Sequence, residues 1–306
     1  MIFFPKSLDE VASHKGTFRA GSTDLWDRRR KKLHRGDLID LRDVSQLHGD
    51  IVIMDTGDVR IPAMMTISEL ARQSREIGHK ALSQSASELA TPAIRNVATV
   101  GGNLMQEVRC TYFRSGVASC SRNGGASCPA KEGEHRYLSA IDLGGCIAPH
   151  PSTLAMTFAA LGASVICGLD DEIIEIPIAD LWLIPQPYLI HSIQLRVATK
   201  EIFSAWHRIS NRSHAEWPLV EVALWIETDE NGVIQNVRAY AGGIARHPFP
   251  LLELLDFWKG KLVSEISIAR DRRYLSKFSL LPQSKYKDIL LTQALRDVLK
   301  QIQERL

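Results

Sequence analysis

The sequence predicts an α+β protein, with two small α/β units in its N-terminal part and an antiparallel sheet covered by helices in its C-terminal part. Three observations lead to this fold class. Short apolar strands alternate with helical patterns up to about residue 185. Longer β segments follow from about residue 190, and two of them flank the hairpin sequence Asp229-Glu230-Asn231-Gly232. Three helical patterns close the chain and would cover one face of that sheet.

The first unit is predicted over residues 1–56. Ser7-x-x-Glu10 is a capping-box sequence, which predicts that a helix begins just after Ser7. A glycine turn at Gly21 separates the next strand from the next helix. In chain order we expect a helix over 8–13, a strand over 17–20, a helix over 23–33 and a strand over 37–41.

The second unit is predicted over residues 57–185 and contains a cysteine-rich insert over 106–147. Thr66-x-x-Glu69 is a second capping box. Ser152 is a plausible N-cap for an apolar helix that Gly162 ends, and this helix should be buried because it has almost no polar face. The expected elements are helices over 67–75, 80–88 and 153–161 and a strand over 163–167.

The C-terminal domain is predicted over residues 190–306. Its apolar patterns are longer than those before it, and antiparallel pairing follows from the hairpin sequence. We expect strands over 193–197, 204–209, 219–228 and 233–241, and helices over 251–258, 263–271 and 286–305.

Composition excludes several functional classes. The 37 Lys and Arg residues nearly balance the 35 Asp and Glu residues, which gives a net charge of +2 and predicts neither nucleic acid nor an anionic membrane as a partner. The longest apolar stretch, residues 154–169, is shorter than the roughly 20 residues of a spanning helix. The N-terminus does not resemble a signal peptide, so cytoplasm is the default expectation.

Two glycine turns are candidates for a phosphate cradle, because small residues expose consecutive backbone N–H groups. They are Ala20-Gly21-Ser22-Thr23-Asp24 and Thr99-Val100-Gly101-Gly102-Asn103. The sequence contains no G-x-G-x-x-G, and the spacing from Gly16 to Gly21 lacks the Lys of a P-loop. Taken singly, each is better explained as an ordinary turn, and only the two together favour a phosphate cradle.

Four of the five cysteines lie within 37 residues, with the spacing C-x9-C-x7-C-x17-C, in a glycine-rich stretch. Thiolates in irregular, glycine-rich backbone are typical of an iron–sulfur centre, and four thiolates also suit zinc. No C-x-x-C pair is present, so spacing leaves a cluster, zinc and four free thiols open. Cys167, in an apolar strand, is expected to be a core residue.

Read together, these segments resemble the FAD-binding medium subunits of the molybdenum hydroxylases, the xanthine dehydrogenase and aldehyde oxidoreductase family. The resemblance covers nearly the whole chain, and its most specific motif is the one over residues 91–104. Arg109-Cys110-Thr111-Tyr112-Phe113-Arg114 and the three later cysteines resemble the branch of bacterial aldehyde oxidoreductase and 4-hydroxybenzoyl-CoA reductase. The other carriers are residues 20–25, 150–152, 208–212, 219–223 and 241–245.

This resemblance implies a two-part α/β FAD-binding domain of the vanillyl-alcohol oxidase (PCMH) type and an extra [4Fe–4S] cluster whose ligands are Cys110, Cys120, Cys128 and Cys146. It assigns no catalytic acid or base. Three positions depart from the family's pattern: Ser22 replaces a common glycine, Thr153 replaces an aspartate, and His207 replaces the lysine of some members. The implied FAD-binding residues are Phe18, Arg19, Ala20, Gly21, Ser22, Thr23, Asp24, Leu25, Thr99, Val100, Gly101, Gly102, Asn103, Thr153 and His207.

The resemblance also implies partners. A large subunit would hold the molybdenum cofactor and a small subunit would hold [2Fe–2S] clusters, so the chain would pass electrons between partner clusters and an external acceptor within a hetero-oligomer. The protein would supply position, potential and solvent exclusion to the flavin. Export on a partner's signal is the alternative to a cytoplasmic location. Two other functions stay open: a zinc-binding structural subunit without flavin, and a stand-alone flavin oxidase.

Overall fold

The computed structural model of the chain describes residues 1–169, 172–184, 188–212 and 215–305. Its named strands form three sheets. Within the described residues, no helix is both long enough and apolar enough to cross a membrane. The domain boundary predicted at 185–190 falls partly on residues 185–187, which lie outside the described residues.

The first unit is a small parallel sheet with two short helices. In chain order its elements are β1 (Ile2–Phe3), α1 (Leu8–Ala12), β2 (Thr17–Arg19), α2 (Leu25–Arg30) and β3 (Leu38–Asp40). The three strands have the order β1–β3–β2 and pack on a core around Ile39, Val44 and Leu47. Ser7 caps α1 as predicted, since its hydroxyl accepts a hydrogen bond from the Glu10 N–H at 3.2 Å.

The second unit combines short helices with an antiparallel sheet. Its elements are β4 (Val52–Ile53), β5 (Asp58–Pro62), α3 (Ile67–Gln73), α4 (Lys80–Glu88), α5 (Pro92–Arg95), α6 (Val100–Leu104), α7 (Thr111–Arg114), α8 (Thr153–Leu161), β6 (Ser164–Leu169), β7 (Glu172–Pro177) and β8 (Leu189–Arg196). The sheet order is β4–β5–β8–β6–β7. Both predicted helix starts are confirmed: Thr66 and Glu69 form a capping box, and Ser152 caps α8, whose residues are all buried.

One strand lies in a different sheet from the one we predicted. The sequence pattern placed the strand over 193–197 in the C-terminal domain, yet β8 pairs with β5 and β6 of the second unit. Its alternating apolar residues, such as Ile193 and Leu195, belong to the core of that unit. Hydrophobic periodicity predicts that a strand forms, but the strand with which it pairs depends on residues far away in the sequence.

The C-terminal part is an antiparallel sheet packed between helices. Its elements are β9 (Ile202–Ile209), β10 (Val220–Thr228), β11 (Ile234–Gly242), β12 (Phe249–Pro250), α9 (Glu253–Trp258) and α10 (Lys287–Gln303), and the strand order is β12–β11–β10–β9. The predicted hairpin joins β10 to β11, with Gly232 at φ +79°. One face of the sheet packs on α4 and α8, and the other packs on α10, which covers it as predicted.

The helix predicted over 263–271 is wrong. Only a single 3₁₀ turn forms, Val263–Glu265, and Ile266 is extended at φ −71° and ψ 133°. The backbone carbonyls of Val263 and Ile266 accept hydrogen bonds from the Gln303 side chain at 2.8 and 2.9 Å. Because α10 satisfies these carbonyls, the segment has no need of helical hydrogen bonds.

The cysteine-rich segment, residues 106–147, has little regular structure beyond α7 and two 3₁₀ turns, Ser121–Asn123 and Pro129–Lys131. It is attached to the C-terminal part through backbone hydrogen bonds. The Ala140 N–H donates to the Ile244 carbonyl at 2.9 Å, and the Leu281 N–H donates to the Ala140 carbonyl at 2.8 Å. The segment therefore joins the second unit to the C-terminal sheet.

Candidate cofactor-binding site

A cavity of about 300 Å³ lies where the two N-terminal units and the C-terminal sheet meet. The first unit contributes the turn between β2 and α2, and the second contributes α6 and the start of α8. The C-terminal sheet contributes Arg208 at the end of β9. The fold therefore brings both predicted glycine turns to one cavity, although they are about eighty residues apart in the chain.

Gly21 is required by the close approach of these two units. A Cβ atom at this position would lie 1.9 Å from the Val97 carbonyl oxygen, so no other residue fits without moving backbone. Ser22 follows in the left-handed region at φ +61°, which favours glycine. Its hydroxyl donates to the Ala20 carbonyl at 3.2 Å, a local bond typical of serine in turns.

The second predicted turn is instead the start of helix α6, with Thr99 as its N-cap, and it is held by short polar contacts. The Thr99 hydroxyl accepts a hydrogen bond from the Gly102 N–H at 3.2 Å. Gly101 lies against Ala63, whose Cβ would be 3.1 Å from an added Cβ. The Asn103 amide oxygen accepts from the Ser152 hydroxyl at 2.6 Å, which ties the turn to the N-cap of α8. The turn is therefore fixed before any ligand binds.

Most of the residues that the family resemblance implied do line this cavity. They are Phe18, Ala20, Gly21, Ser22, Thr23, Asp24, Leu25, Thr99, Gly101, Gly102, Asn103 and Thr153. Arg19 does not line it, because its side chain pairs with Asp40 inside the first unit. Val100 is fully buried in the core of the second unit. The structure thus gives these two residues packing roles.

His207 is not among the residues that line the cavity either. Its Nε2 lies 3.4 Å from an Asp297 carboxylate oxygen on α10, on the far face of the sheet. Successive side chains of a strand point to opposite faces, so the next residue, Arg208, lines the cavity instead. Strand alternation could have supplied this signal once the face toward α8 was known.

Asp24 connects the cavity to the cysteine-rich segment. Its carboxylate, on a residue only 8% exposed, lies 2.6 Å from Arg114, 3.0 Å from Arg109 and 3.1 Å from Arg28. It also accepts a hydrogen bond from the Glu107 N–H at 3.1 Å. The carboxylate is therefore an ion-pair centre at the junction of the two regions.

Arg109, Glu216 and Trp217 form a wall of the cavity that sequence reasoning missed. The Arg109 guanidinium lies over the Trp217 ring, 4.5 Å from its centroid. Among the described residues, Arg109 Nε and Glu216 Oε2 are buried without a hydrogen-bond partner. Unpartnered buried polar atoms at a cavity wall fit a polar ligand, because leaving them unpaired is costly.

The four clustered cysteines share a local setting. Cys110 precedes α7, and Cys120 and Cys128 precede the two 3₁₀ turns, so three of the four occupy N-cap positions. The fourth, Cys146, accepts hydrogen bonds at its sulfur from the Arg122 Nε and the Ala148 N–H, both at 3.4 Å. N–H groups directed at sulfur stabilise thiolates.

The same cysteines are coupled electrostatically. Burial raises the pKa of the Cys110 thiol, the backbone N–H groups of Phe113 and Tyr112 oppose this, and Cys146 and Cys128 raise it further. Burial alone would lower the pKa of Arg122, but Glu107, Cys146 and Cys120 raise it and prevail. All four thiols are thus neighbours of one another or of Arg122. Within the described part of the chain, no three His, Cys, Asp or Glu side chains are arranged to hold a single metal ion.

Comparison with known proteins identifies the relatives of this chain. The family model for the FAD binding domain in molybdopterin dehydrogenase matches residues 2–194. The aldehyde oxidoreductase FAD-binding subunit PaoB of Escherichia coli (strain K12) is 31% identical over 250 residues, which cover 76% of each chain. The xanthine dehydrogenase FAD-binding subunit of Escherichia coli O157:H7 is 38% identical over 68 residues, 22% of this chain and 23% of that one.

Solved structures share the fold over the whole chain. The reconstituted CO dehydrogenase from Oligotropha carboxidovorans matches with a TM-score of 0.72 at 16% identity, covering 100% of this chain and 98% of the other. Quinoline 2-oxidoreductase from Pseudomonas putida 86 matches with a TM-score of 0.71 at 16% identity, covering 99% and 96%. The predicted α+β fold class is confirmed by these matches.

Proposed function

The chain belongs to the family whose members carry the FAD binding domain of molybdopterin dehydrogenases, and we propose that it is the electron-transfer subunit of a molybdenum-containing hydroxylase. It would hold FAD and a [4Fe–4S] cluster and pass electrons between a partner's iron–sulfur clusters and an external acceptor. The observation that carries this proposal is the single cavity shared by the two glycine turns.

The residues of the cavity fit FAD. Residues 20–24 and residues 99 and 101–103 line the same cavity, and the glycines at 21, 101 and 102 leave room for a pyrophosphate to approach the backbone. Arg109 and Glu216 have unpartnered buried atoms available for the cofactor's polar groups. When bound, FAD supplies the exchange between one- and two-electron chemistry, while the protein positions it and excludes water.

A [4Fe–4S] cluster on Cys110, Cys120, Cys128 and Cys146 is the second part of the proposal. Support comes from the N-cap positions of Cys110, Cys120 and Cys128, from the electrostatic coupling that puts Cys110 close to Cys128 and Cys146, and from the N–H groups aimed at the Cys146 sulfur. Such N–H groups and the positive charge of Arg122 stabilise the thiolates that a cluster requires. Cys167 is buried in β6, away from this group, and serves the core.

We further propose that the complex resembles aldehyde oxidoreductase. The identity with PaoB over three quarters of both chains supports this choice. A large subunit with the molybdenum cofactor and a small subunit with [2Fe–2S] clusters would complete a hetero-oligomer, and substrate chemistry would occur on the large subunit. The proposed location is the cytoplasm, with export on a partner's signal as the alternative.

The test is an absorption spectrum of the anaerobically purified protein, with flavin, iron and zinc quantified on the same sample. We expect a flavin spectrum over a broad brown shoulder and about four irons per chain. The Cys128→Ser variant should lose iron and keep flavin, whereas the matched control Cys167→Ala should keep both. Colourless protein with zinc would instead indicate the structural subunit, and turnover of a small alcohol by the chain with FAD alone would indicate a flavin oxidase.

A second measurement uses the assembled complex. If acceptor reduction by the complex is unchanged when FAD is removed, the electron-transfer role is wrong. We expect it to fall to the background rate and to recover when FAD is added back.

A further inference from the structure

A buried glutamate lies directly behind the cavity wall. Glu221, on β10, is 1% exposed. The Thr153 hydroxyl, at the first position of α8, donates to this carboxylate and lies 2.9 and 3.2 Å from its two oxygens. Thr153 itself lines the cavity. A carboxyl group is therefore connected to the cavity through one hydroxyl.

The fold is shaped to accept this glutamate. It faces Gly242 across the β10–β11 ladder, and a Cβ atom at Gly242 would lie only 2.7 Å from Glu221 Cγ and Oε1. Any residue larger than glycine at 242 would displace the carboxylate from Thr153. The position of Glu221 thus depends on a second residue that leaves room for it.

Few charged groups face this carboxylate. Arg208 is its ladder partner on β9, and Tyr240 lies two residues before Gly242 on the same face of β11. The polar side chains of α8 are Thr153 and Thr157, neither of which titrates. Arg208 makes no ion pair with Glu221, since its Nη1 donates to the Glu88 and Glu216 carbonyls, both at 3.4 Å. The carboxyl group is thus desolvated, and Arg208 acts on it only as a charge beyond ion-pair distance.

We propose that Glu221 is a positioning residue for FAD, which it reaches through Thr153. An ionised carboxylate only accepts hydrogen bonds, so it accepts the one that the Thr153 hydroxyl donates. The Thr153 oxygen then offers only lone pairs to the cavity, and it accepts a hydrogen bond from a hydroxyl group of the cofactor. This inference rests on the proposed function, because it requires FAD in the cavity.

The hydrogen-bond chain makes FAD binding depend on pH. Burial raises the pKa of Glu221 to about 7, with Thr153, Arg208 and Trp206 lowering it in part. A chain that runs from cofactor hydroxyl to Thr153 to Glu221 is strongest when the carboxylate is ionised. FAD therefore binds the ionised form more tightly, and its affinity rises as pH increases through 7 while a proton is released.

The experiment measures the Kd of FAD for the full chain by quenching of flavin fluorescence at pH 6.0 and pH 8.5. For the wild type we expect Kd to fall about fivefold between the two values, as a one-unit decrease in the pKa of Glu221 on binding, from about 7, would give. Glu221→Gln should show the same Kd at both pH values. Glu227→Gln, the same change farther along β10, should retain the wild-type dependence.

Variants at Thr153 test the same hydrogen-bond chain without changing Glu221. Thr153→Ser keeps the hydroxyl and should behave as the wild type, whereas Thr153→Val should bind weakly and without pH dependence. Equal pH dependence in the wild type and in Glu221→Gln would overturn this inference and leave the proposed function intact. A wild type that binds no FAD at either pH would overturn both.

Discussion

At the scale of single residues, Ser22 occupies a backbone conformation that favours glycine. It is a non-glycine residue at φ +61°, in the left-handed region that costs an L-residue about 1 kcal/mol. Ser22→Gly should therefore raise the free energy of unfolding of the FAD-free protein by roughly 0.5–1 kcal/mol. Urea denaturation would measure the gain. Ser13→Gly, at φ −75°, is the control and should give no gain.

Arg122 is the residue that we expect to control the midpoint potential of the proposed [4Fe–4S] cluster. It donates to the Cys146 sulfur at 3.4 Å and pairs with Glu107 at 2.8 Å. Positive charge and hydrogen bonds at sulfur favour the reduced, more negative cluster. Arg122→Gln should lower the midpoint potential by on the order of 50 mV, since a charged hydrogen bond contributes about 1–2 kcal/mol.

A redox titration followed by electron paramagnetic resonance would measure that potential. Arg136→Gln is the matched control, because among the described residues Arg136 donates to no cysteine sulfur. An unchanged potential in Arg122→Gln, with iron content retained, would contradict this role of Arg122.

At the scale of elements, β9 presents one face to the cavity and the other to α10. Arg208→Ala should weaken FAD binding about tenfold, because a charged hydrogen-bond donor is lost from the cavity wall. His207→Ala should leave the Kd of FAD within twofold of the wild-type value, since its ring faces Asp297. Fluorescence titration of the two variants side by side compares them directly, and the reverse order of effects would refute the assignment of faces.

Another prediction concerns α10, which begins with the buried Lys287. Its ammonium donates to the Gly243 carbonyl at 2.7 Å, and burial lowers its pKa to about 7. The unfolded chain, with a pKa of 10.5, binds the proton more tightly, so wild-type stability rises from pH 7 toward pH 10. Lys287→Met should remove this rise, which is on the order of 4 kcal/mol at 1.36 kcal/mol per pKa unit.

Guanidinium denaturation at pH 7 and pH 10 would measure the difference between variant and wild type. Other groups titrate in the same range, so the exposed Lys285→Met serves as the control and should follow the wild type. If Lys287→Met also follows it, Lys287 keeps an ordinary pKa in the folded protein.

The elements also show how far the sequence could predict this molecule. Short sequence motifs predicted the features that neighbouring residues determine. These are the Thr66 capping box, the Ser152 N-cap, the end of α8 at Gly162 and the Asp229–Gly232 hairpin. Such motifs failed where distant contacts decide. The sheet to which β8 belongs and the extended chain after Val263 are each fixed by residues far away in sequence.

The candidate site divides in the same way. Its glycine motifs could be recognised in the sequence because some positions admit only glycine. At Gly21, for example, the Val97 backbone leaves no room for a Cβ atom. The cavity wall of Arg109, Glu216 and Trp217 and the buried Glu221 had no local signal, since their proximity arises from packing of three parts of the chain. Tertiary structure was needed to place them.

At the scale of the whole molecule, Asp24 connects the candidate FAD cavity to the cysteine-rich segment through one network of ion pairs and hydrogen bonds. Its carboxylate binds Arg109 and Arg114 at 3.0 and 2.6 Å and also the Glu107 N–H, while Glu107 in turn binds Arg122 beside the Cys146 sulfur. Loss of one partner from a buried ion-pair network leaves uncompensated charge, which costs about 3 kcal/mol.

Asp24→Asn should therefore reduce the free energy of unfolding by about 3 kcal/mol and lower flavin and iron contents together. Asp27→Asn, three residues along the same helix at a carboxylate 26% exposed, should cost at most about 1 kcal/mol and leave both contents near wild type. Denaturant titration with flavin and iron analysis on the same preparations measures all three quantities. Loss of flavin with full retention of iron would mean that the two sites fold independently, because a shared anchor cannot fail at one site alone.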